Sequence, residues 1–445
     1  MSDRSAELTC FYFGVGQGLF NAGVLKENAG SNQFAWVYDC GRNCEDEDWL
    51  IDRGIRTLRD KLTDGAKGQV AKPVINLLII SHFDRDHITG INALLKEFRV
   101  ERVLLPFADL AQRIMAAFDQ GLEPTAAEFQ YFINPVRYLA GIEGRGSDEI
   151  VIVIVPPSDP EQPVPIPNAD QEVPVGTWAL EVKSTEELGI YGDAEGFSNM
   201  PGSKVELSLL REQSTLLLGG FWEFVPYNDA ELANRVSRRF AARVKQLSSK
   251  LIDDTLPPAI RAAALKSLKA RYELTFAQNG EKNAKNNNLI SLFISAGTTH
   301  LRLAEESYRE YSESERKFDM PDERPEAHRC VDVRVFVDSG RRGVRLLYTG
   351  DGFLDSRARF VCLRTYLGTG RISPLSILQV MHHGSEANWF NGLAAEFSPS
   401  LSVFSSDPSH HWGHPHAAVL RDFWMHGPIQ VDRSRSLSVW WRITY

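Results

Sequence analysis

Ser81-His82-Phe83-Asp84-Arg85-Asp86-His87-Ile88-Thr89-Gly90 brings two imidazoles and two carboxylates together directly after an apolar run, Val74-Ile75-Asn76-Leu77-Leu78-Ile79-Ile80. That run is short, nearly continuous and rich in β-branched residues, so it reads as a fully buried strand. If the chain stays extended beyond it, residues 82, 84 and 86 point to one side, because strand side chains alternate with period two. His87 would then stand where the chain turns into a helix marked by Ile88, Ile91, Leu94, Leu95 and Phe98. Carboxylates gathered at the end of a buried strand are costly unless compensated, and a bound cation is the simplest compensation.

Three further motifs also close apolar runs. Val344-Arg345-Leu346-Leu347-Tyr348 leads into Thr349-Gly350-Asp351, and Leu375 to Met381 leads into His382-His383-Gly384-Ser385. Leu401 to Ser405 precedes Gly413-His414-Pro415-His416. Six of the eleven His fall in 382–416, counting His410 and His411, so imidazole is concentrated where metal ligation would use it.

Taken in order, these motifs resemble the metallo-β-lactamase superfamily, and within it the branch that includes the soluble domain of the DNA-uptake competence protein ComEC. Phe13-Gly14-Val15-Gly16-Gln17-Gly18 and Tyr38-Asp39-Cys40-Gly41 look like that branch's opening strands, and Asn286-Asn287-Asn288-Leu289-Ile290-Ser291-Leu292 resembles its Asn-x-x-Ser-Leu strand entry. The resemblance implies a four-layer αββα sandwich, an α/β fold, built from residues 7–106 and 284–445 with 107–283 inserted between them. It places strand 74–80 and the terminal run Leu437–Ile443 in the two sheets.

The resemblance also implies a site for two divalent metal ions. His82 and Asp84 would hold one, Asp86 and His87 the other, with Asp351 bridging them. Spacing does not separate His382 from His383; the resemblance favours His383 as the ligand and His382 as an outer partner. The usual second His of the family motif is replaced by Asp84, which hardens the site and favours manganese or magnesium relative to zinc, with zinc still admissible. No Gly-His-Thr-type motif lies between Gly90 and Asp351, so one metal would lack its third protein ligand or take Asn288 or water. Two ions about 3.5–4 Å apart activate water and stabilise charge on a phosphate. Asp86 and His382 are candidate catalytic groups beside them. His414 or His416 could protonate the leaving oxygen or grip a phosphate oxygen, against a reading as turn chemistry around Pro415. Ser385 could orient phosphate.

Length and composition fit an intracellular enzyme. The chain has 445 residues, 43% of them hydrophobic, with no apolar run long enough to span a bilayer and no signal-peptide core, so a cytoplasmic location without membrane is expected. Five Cys without Cys-x-x-Cys pairing read as thiols in a reducing compartment. A formal charge of −9 argues against coating nucleic acid by bulk electrostatics.

Charge is unevenly spread, however. Between Arg235 and Arg271 stand ten Lys or Arg against Asp253 and Asp254, with helical apolar spacing at Val236, Phe240, Val244, Leu247 and Leu251. Arg238, Arg239, Arg243 and Lys245 are either a solvated face or a phosphate-contacting arm. Around them the insertion reads as a helix over 111–132, a strand over 150–155, and strands at 178–183, 205–210 and 214–218. Arg211-Glu212-Gln213 would close a hairpin between the last two. Phe221-Trp222-Glu223-Phe224-Val225-Pro226-Tyr227 either fills a core or stacks bases. The whole insertion is expected to extend a sheet and to cap the cleft with helices, and it offers a surface for a protein partner. Leu303–Arg329, dense in Glu and Arg, reads as a surface helix or loop.

Three functional classes follow. The leading one is a metal-dependent phosphodiesterase, a DNA nuclease with nucleic acid as substrate. The second is a hydrolase of a small ester, thioester, cyclic or lipid phosphodiester, since loops on one scaffold change the substrate. The third is a partner-controlled effector with a partly degenerate site.

Overall fold

The structure is a computed structural model. It describes residues 5–444 apart from 29–31, 44–48, 64–71, 127, 147–148, 167–177, 179, 183–184, 187–195, 198–203, 212, 230–235, 254, 279–290, 300–304, 318–326 and 339–342. The first half supplies β1 (Ser5–Tyr12), β2 (Phe20–Glu27), β3 (Gln33–Cys40), β4 (Val74–Ile75), β5 (Leu77–Ile79), β6 (Arg99–Val100) and β7 (Arg102–Pro106). The insertion adds β8 (Ile150–Val155), β9 (Leu180–Val182), β10 (Thr185–Glu186), β11 (Val205–Leu210), β12 (Leu216–Leu218) and β13 (Trp222–Asn228). The rest adds β14 (Leu292–Thr298), β15 (Glu305–Lys317), β16 (Ala327–Asp338), β17 (Arg345–Tyr348), β18 (Ile377–Gln379), β19 (Leu401–Ser405), β20 (Pro428–Val431) and β21 (Arg435–Thr444).

Two large sheets result among the described residues. One runs β10-β11-β8-β7-β5-β3-β2-β1-β21-β16-β15, the other β20-β19-β18-β17-β14-β13-β12-β9. Alternating side chains divide the interior into three apolar layers. In β3, Phe34, Trp36 and Tyr38 face the second sheet, while Ala35 and Val37 face outward to helices. In β17, Leu346 and Tyr348 join the inter-sheet core and Leu347 joins the layer under helix Arg357–Leu367. The outer layer of the first sheet is covered by α1 (Trp49–Thr63), α2 (Arg85–Ile88), α3 (Ile91–Glu97), α4 (Leu110–Asp119), α5 (Phe129–Ile133) and α6 (Pro135–Ala140). The fold is thus an α/β layered sandwich, helix–sheet–sheet–helix. Strands buried on both faces explain the unbroken apolar run at 150–155.

Several expectations are corrected. The run 74–80 is two strands, because Asn76 breaks it: its side chain accepts from the Ala35 amide at 2.9 Å and donates to Glu101 Oε2 at 2.9 Å. β4 consequently pairs with β6 in a separate two-stranded sheet. β5 and the terminal strand β21 both lie in the first sheet rather than one in each. The expected helix over 111–132 is α4 followed by turns and α5. No hairpin joins β11 and β12: β11 pairs in parallel with β8 in the first sheet and β12 with β13 and β9 in the second. The described residues of 303–329 are strand rather than helix or loop: β15 and β16 pair antiparallel at the sheet's edge.

The insertion does not stand apart, since it gives strands to both sheets and β13 pairs with β14 along its length. Its aromatic stretch is core. Trp222 and Phe224 pack on Trp36 with ring centroids 5.7 and 5.3 Å away, which removes them as a base-stacking surface. Helices Arg238–Ile252 and Pro258–Gln278 pack on the outer helical layer through Phe240, Val244, Leu247, Leu251, Leu265 and Leu268. There Tyr272 hydrogen-bonds Asp119 of α4, and Lys269 pairs with Glu123 at 2.6 Å. Among the described residues no helix is long and apolar enough to cross a membrane.

Candidate metal centre

The chemistry gathers at the carboxyl ends of strands from both sheets, the edge where open α/β sheets place ligands. β3 carries Asp39 one residue before its end, β5 leads to His82, β17 to Asp351, β18 to His382 and His383, and β19 ends at Ser405. Past β5 the chain is extended only to Asp84; Asp86 and His87 sit in the short helix α2 and do not alternate with His82 along a strand. The helix can approach β3 because Gly41 has no side chain: a Cβ there would stand 2.4 Å from the His87 carbonyl carbon and from the Ile88 nitrogen.

One oxygen of Asp351 faces each of two donor sets. Oδ1 lies 3.1 Å from His87 Nε2 and 3.6 Å from His383 Nε2. His383 Nε2 is also 3.2 Å from Asp86 Oδ2, and donor atoms of Asp86, His87, Asp351 and His383 all lie within 4.8 Å of one another, every residue buried. Oδ2 lies 3.8 Å from His82 Nε2 and 3.6 Å from His382 Nε2, and His82 Nε2 is 3.8 Å from Asp84 Oδ2. His382, expected as an outer partner, therefore turns its Nε2 inward beside His82.

Each imidazole is held from behind at Nδ1. His87 bonds Asp39 Oδ2 at 2.8 Å, His82 bonds Ser81 Oγ at 2.8 Å, His382 bonds Asn388 Oδ1 at 2.7 Å, and His383 bonds the Ser405 carbonyl at 2.5 Å. Ser81 in turn donates both its amide and its hydroxyl to Asp39, at 2.7 and 2.6 Å. Fixing Nδ1 in this way leaves Nε2 as the inward atom, the arrangement that orients metal-ligating histidines. Nε2 of His82 and of His87 are buried and make no hydrogen bond among the described residues. Buried polar atoms normally find partners, so two such nitrogens around one carboxylate fit the donor set of a divalent cation.

Neighbouring groups set the loops. Gln379 Oε1 accepts from the Thr349 and Gly350 amides, Ser291 Oγ accepts from the Asp351 amide at 3.1 Å, and Asn388 donates to the Asp351 carbonyl at 2.9 Å. Gln120, at the end of α4, donates to Asp84 Oδ1 at 2.6 Å. Asp39, His382 and His383 all adopt left-handed backbone, with φ of 57°, 44° and 57°, a strain that side chains other than glycine sustain only where the surroundings enforce it.

Electrostatics favour positive charge at this point. Burial alone would raise the Asp351 carboxyl, yet His382, His87 and His383 outweigh it and hold it well below the usual carboxylate range. Asp86 is likewise lowered against burial, by His383 and His87. Burial would lower His87 and His383; instead Asp351, with Asp39 for the first and Asp86 for the second, raises both. Asp84 is raised, by burial and then by Asp86 and Asp351. His82 falls to about 3, through burial and His87, so it is a neutral donor.

The remaining candidates are less uniform. His414 is buried beside the cluster, its ring 5.7 Å from His382 and 6.3 Å from His383, and its pKa falls to about 3 through burial and those two rings. His416 Nδ1 accepts from the Glu386 amide at 2.9 Å, and Ser385 Oγ accepts from the Ala387 amide at 3.3 Å; both brace the turn that carries the His pair. Asn288 lies outside the described residues. Arg238, Arg239 and Lys245 are exposed on helix Arg238–Ile252, while Arg243 is tethered to Gln246 at 2.6 Å and Ser267 at 3.2 Å. The sequence reading missed the supporting Asp39, Ser81, Asn388, Gln379 and Gln120. Asp39 alone carried a signal, as an acid ending a buried strand.

Neither a protein-family model nor a curated protein matches this chain. The geometry of the site is what speaks for its function.

Proposed function

We propose that the chain is a metal-dependent phosphodiesterase of the metallo-β-lactamase type, acting on nucleic acid. One observation carries the reading: four imidazoles, each fixed at Nδ1, turn Nε2 toward the two oxygens of one buried carboxylate, Asp351. Asp86, His87, Asp351 Oδ1 and His383 would hold one divalent cation, and His82, Asp84, Asp351 Oδ2 and His382 a second. Such cations supply Lewis-acid stabilisation of phosphoryl charge and a lowered pKa of water. The carboxylates of Asp84 and Asp86 suit manganese or magnesium beside zinc. Asp39, Ser81, Asn388 and the Ser405 carbonyl keep the donors aimed, and His414, neutral and adjacent, is placed to meet a substrate oxygen. Purified protein incubated with linear duplex DNA, single-stranded DNA, RNA and bis(p-nitrophenyl) phosphate tests this. Hydrolysis that appears with manganese and stops with EDTA is expected; metal binding without cleavage of any of the four overturns it.

The basic helices favour a polymer. Arg239, Arg243 and Arg271 line a cleft of about 590 Å3 with no acid among its lining residues. Reversing Arg238, Arg239 and Lys245 to Glu should flatten the salt dependence of DNA binding, by about one unit of log–log slope for each phosphate no longer neutralised. The ratio of DNA to bis(p-nitrophenyl) phosphate turnover should fall with it. An unchanged slope would leave this surface as a solvated face.

A further inference from the structure

We propose that Trp412 is a stacking platform for a nucleobase beside the scissile phosphodiester, an assignment that rests on the phosphodiesterase reading and narrows its substrate. Trp412 is 41% exposed, although an indole ordinarily buries most of its surface. Its ring stands 6.1 Å from that of His414 at 36°, and His414 stands 6.3 Å from His383 at 18°. One buried histidine ring, that of His414, therefore separates the indole from His383 of the metal centre.

The loop that presents it is built. The Asp407 amide donates to Gln17 Oε1 at 3.3 Å, and the Asp407 carboxylate accepts from Ser409. The Gly413 amide closes a turn on the His410 carbonyl at 2.8 Å, and the His416 amide donates to the Gly384 carbonyl at 3.0 Å. One end is thus tied to the Gln17 segment and the other to the turn that carries His382 and His383.

The ring's surroundings decide what it would receive. His410, His411 and His414 are its ring neighbours, the first two with centroids 4.7 and 5.0 Å away, and the cation Arg433 pairs with Asp407 at 3.6 Å on the same loop. An acyl chain calls for an aliphatic groove. A planar base attached to a phosphate matches an exposed π-face flanked by imidazoles, on a loop that also holds the Arg433 guanidinium through Asp407.

The test compares fluorescein-labelled oligothymidylate with an oligomer of equal length whose residues are all abasic. Both carry the same phosphates, and binding is read by fluorescence anisotropy in EDTA, so the result does not depend on turnover. Wild type should prefer the oligothymidylate by about five- to 150-fold, the range that stacking of one base supports. Trp412→Ala should bring that ratio close to one and Trp412→Phe should keep most of it. A ratio unchanged in Trp412→Ala, no preference in wild type, or no binding of either oligomer overturns the proposal. A Trp412-dependent preference without cleavage in manganese keeps the platform and overturns the phosphodiesterase reading. Cleavage with an unchanged ratio does the reverse.

Discussion

Asp351→Ala should remove bound metal and hydrolytic activity together, because this carboxylate is the group common to both donor sets. Its Oδ1 faces His87 and His383, and its Oδ2 faces His82 and His382. A cation at either position would lose one ligand and half of a shared negative charge. Two cations at both positions would also lose the charge between them that offsets their mutual repulsion. Turnover of bis(p-nitrophenyl) phosphate should fall by about a thousandfold or more, the several kcal/mol that metal stabilisation contributes. His382→Ala and His383→Ala should each remove one equivalent rather than two. Asp39→Ala should be milder still, weakening affinity by about 10–100-fold, since Asp39 reaches the centre only through the rear nitrogen of His87 and through Ser81. Elemental analysis of each variant after loading with manganese separates these cases. Wild-type metal content in Asp351→Ala would show that the carboxylate does not bridge.

That gradation also marks what could be read from the chain. Most of the inward donors were legible because they follow an apolar run: a buried strand delivers its next residues to one sheet edge, and clustered His and Asp there have few other uses; His382, read as an outer partner, turns inward instead. The rear partners were not legible. Asn388 and Ser405 reach His382 and His383 only after two loops fold back, and nothing in local periodicity announces a bond of that kind. The same limit applied to the fold. Runs such as 150–155 read correctly because both faces are buried, whereas the separation of β11 from β12 is a choice of sheet rather than of conformation. Five polar residues, 211–215, separate them in the sequence, and local pattern could not tell a hairpin from a crossing between sheets. In β15 and β16, dense charge hid a strand pair; the alternating Val331, Val333, Val335 and Val337 were the period-two signal that the charge obscured.

Glu223→Ala should cost about 3–5 kcal/mol of stability, the penalty for leaving a buried charge without its partner. Glu223 is the single acid in the aromatic strand β13, and it is buried against Arg371, which is also buried. The pair is bidentate, Nε to Oε1 at 2.9 Å and Nη2 to Oε2 at 3.0 Å, and Arg345 Nη1 stands 3.8 Å from the same Oε1. Removing the carboxylate would leave two guanidiniums facing each other in an apolar setting. Arg371 would keep its bonds to the Val164, Leu367 and Pro165 carbonyls, at 2.9, 2.8 and 2.7 Å, so it could not swing out to solvent without orphaning three acceptors. Glu223→Gln should cost less, because the amide oxygen still accepts one bond. The double variant Glu223→Leu with Arg371→Met should recover part of the loss but not all of it, since the charge goes while the three carbonyls stay unmet. Thermal melts of the four proteins read this order directly. A Glu223→Ala melt within a degree or so of wild type would mean that water reaches the pair, and that the second sheet is fixed at this point by its aromatic packing rather than by the ion pair.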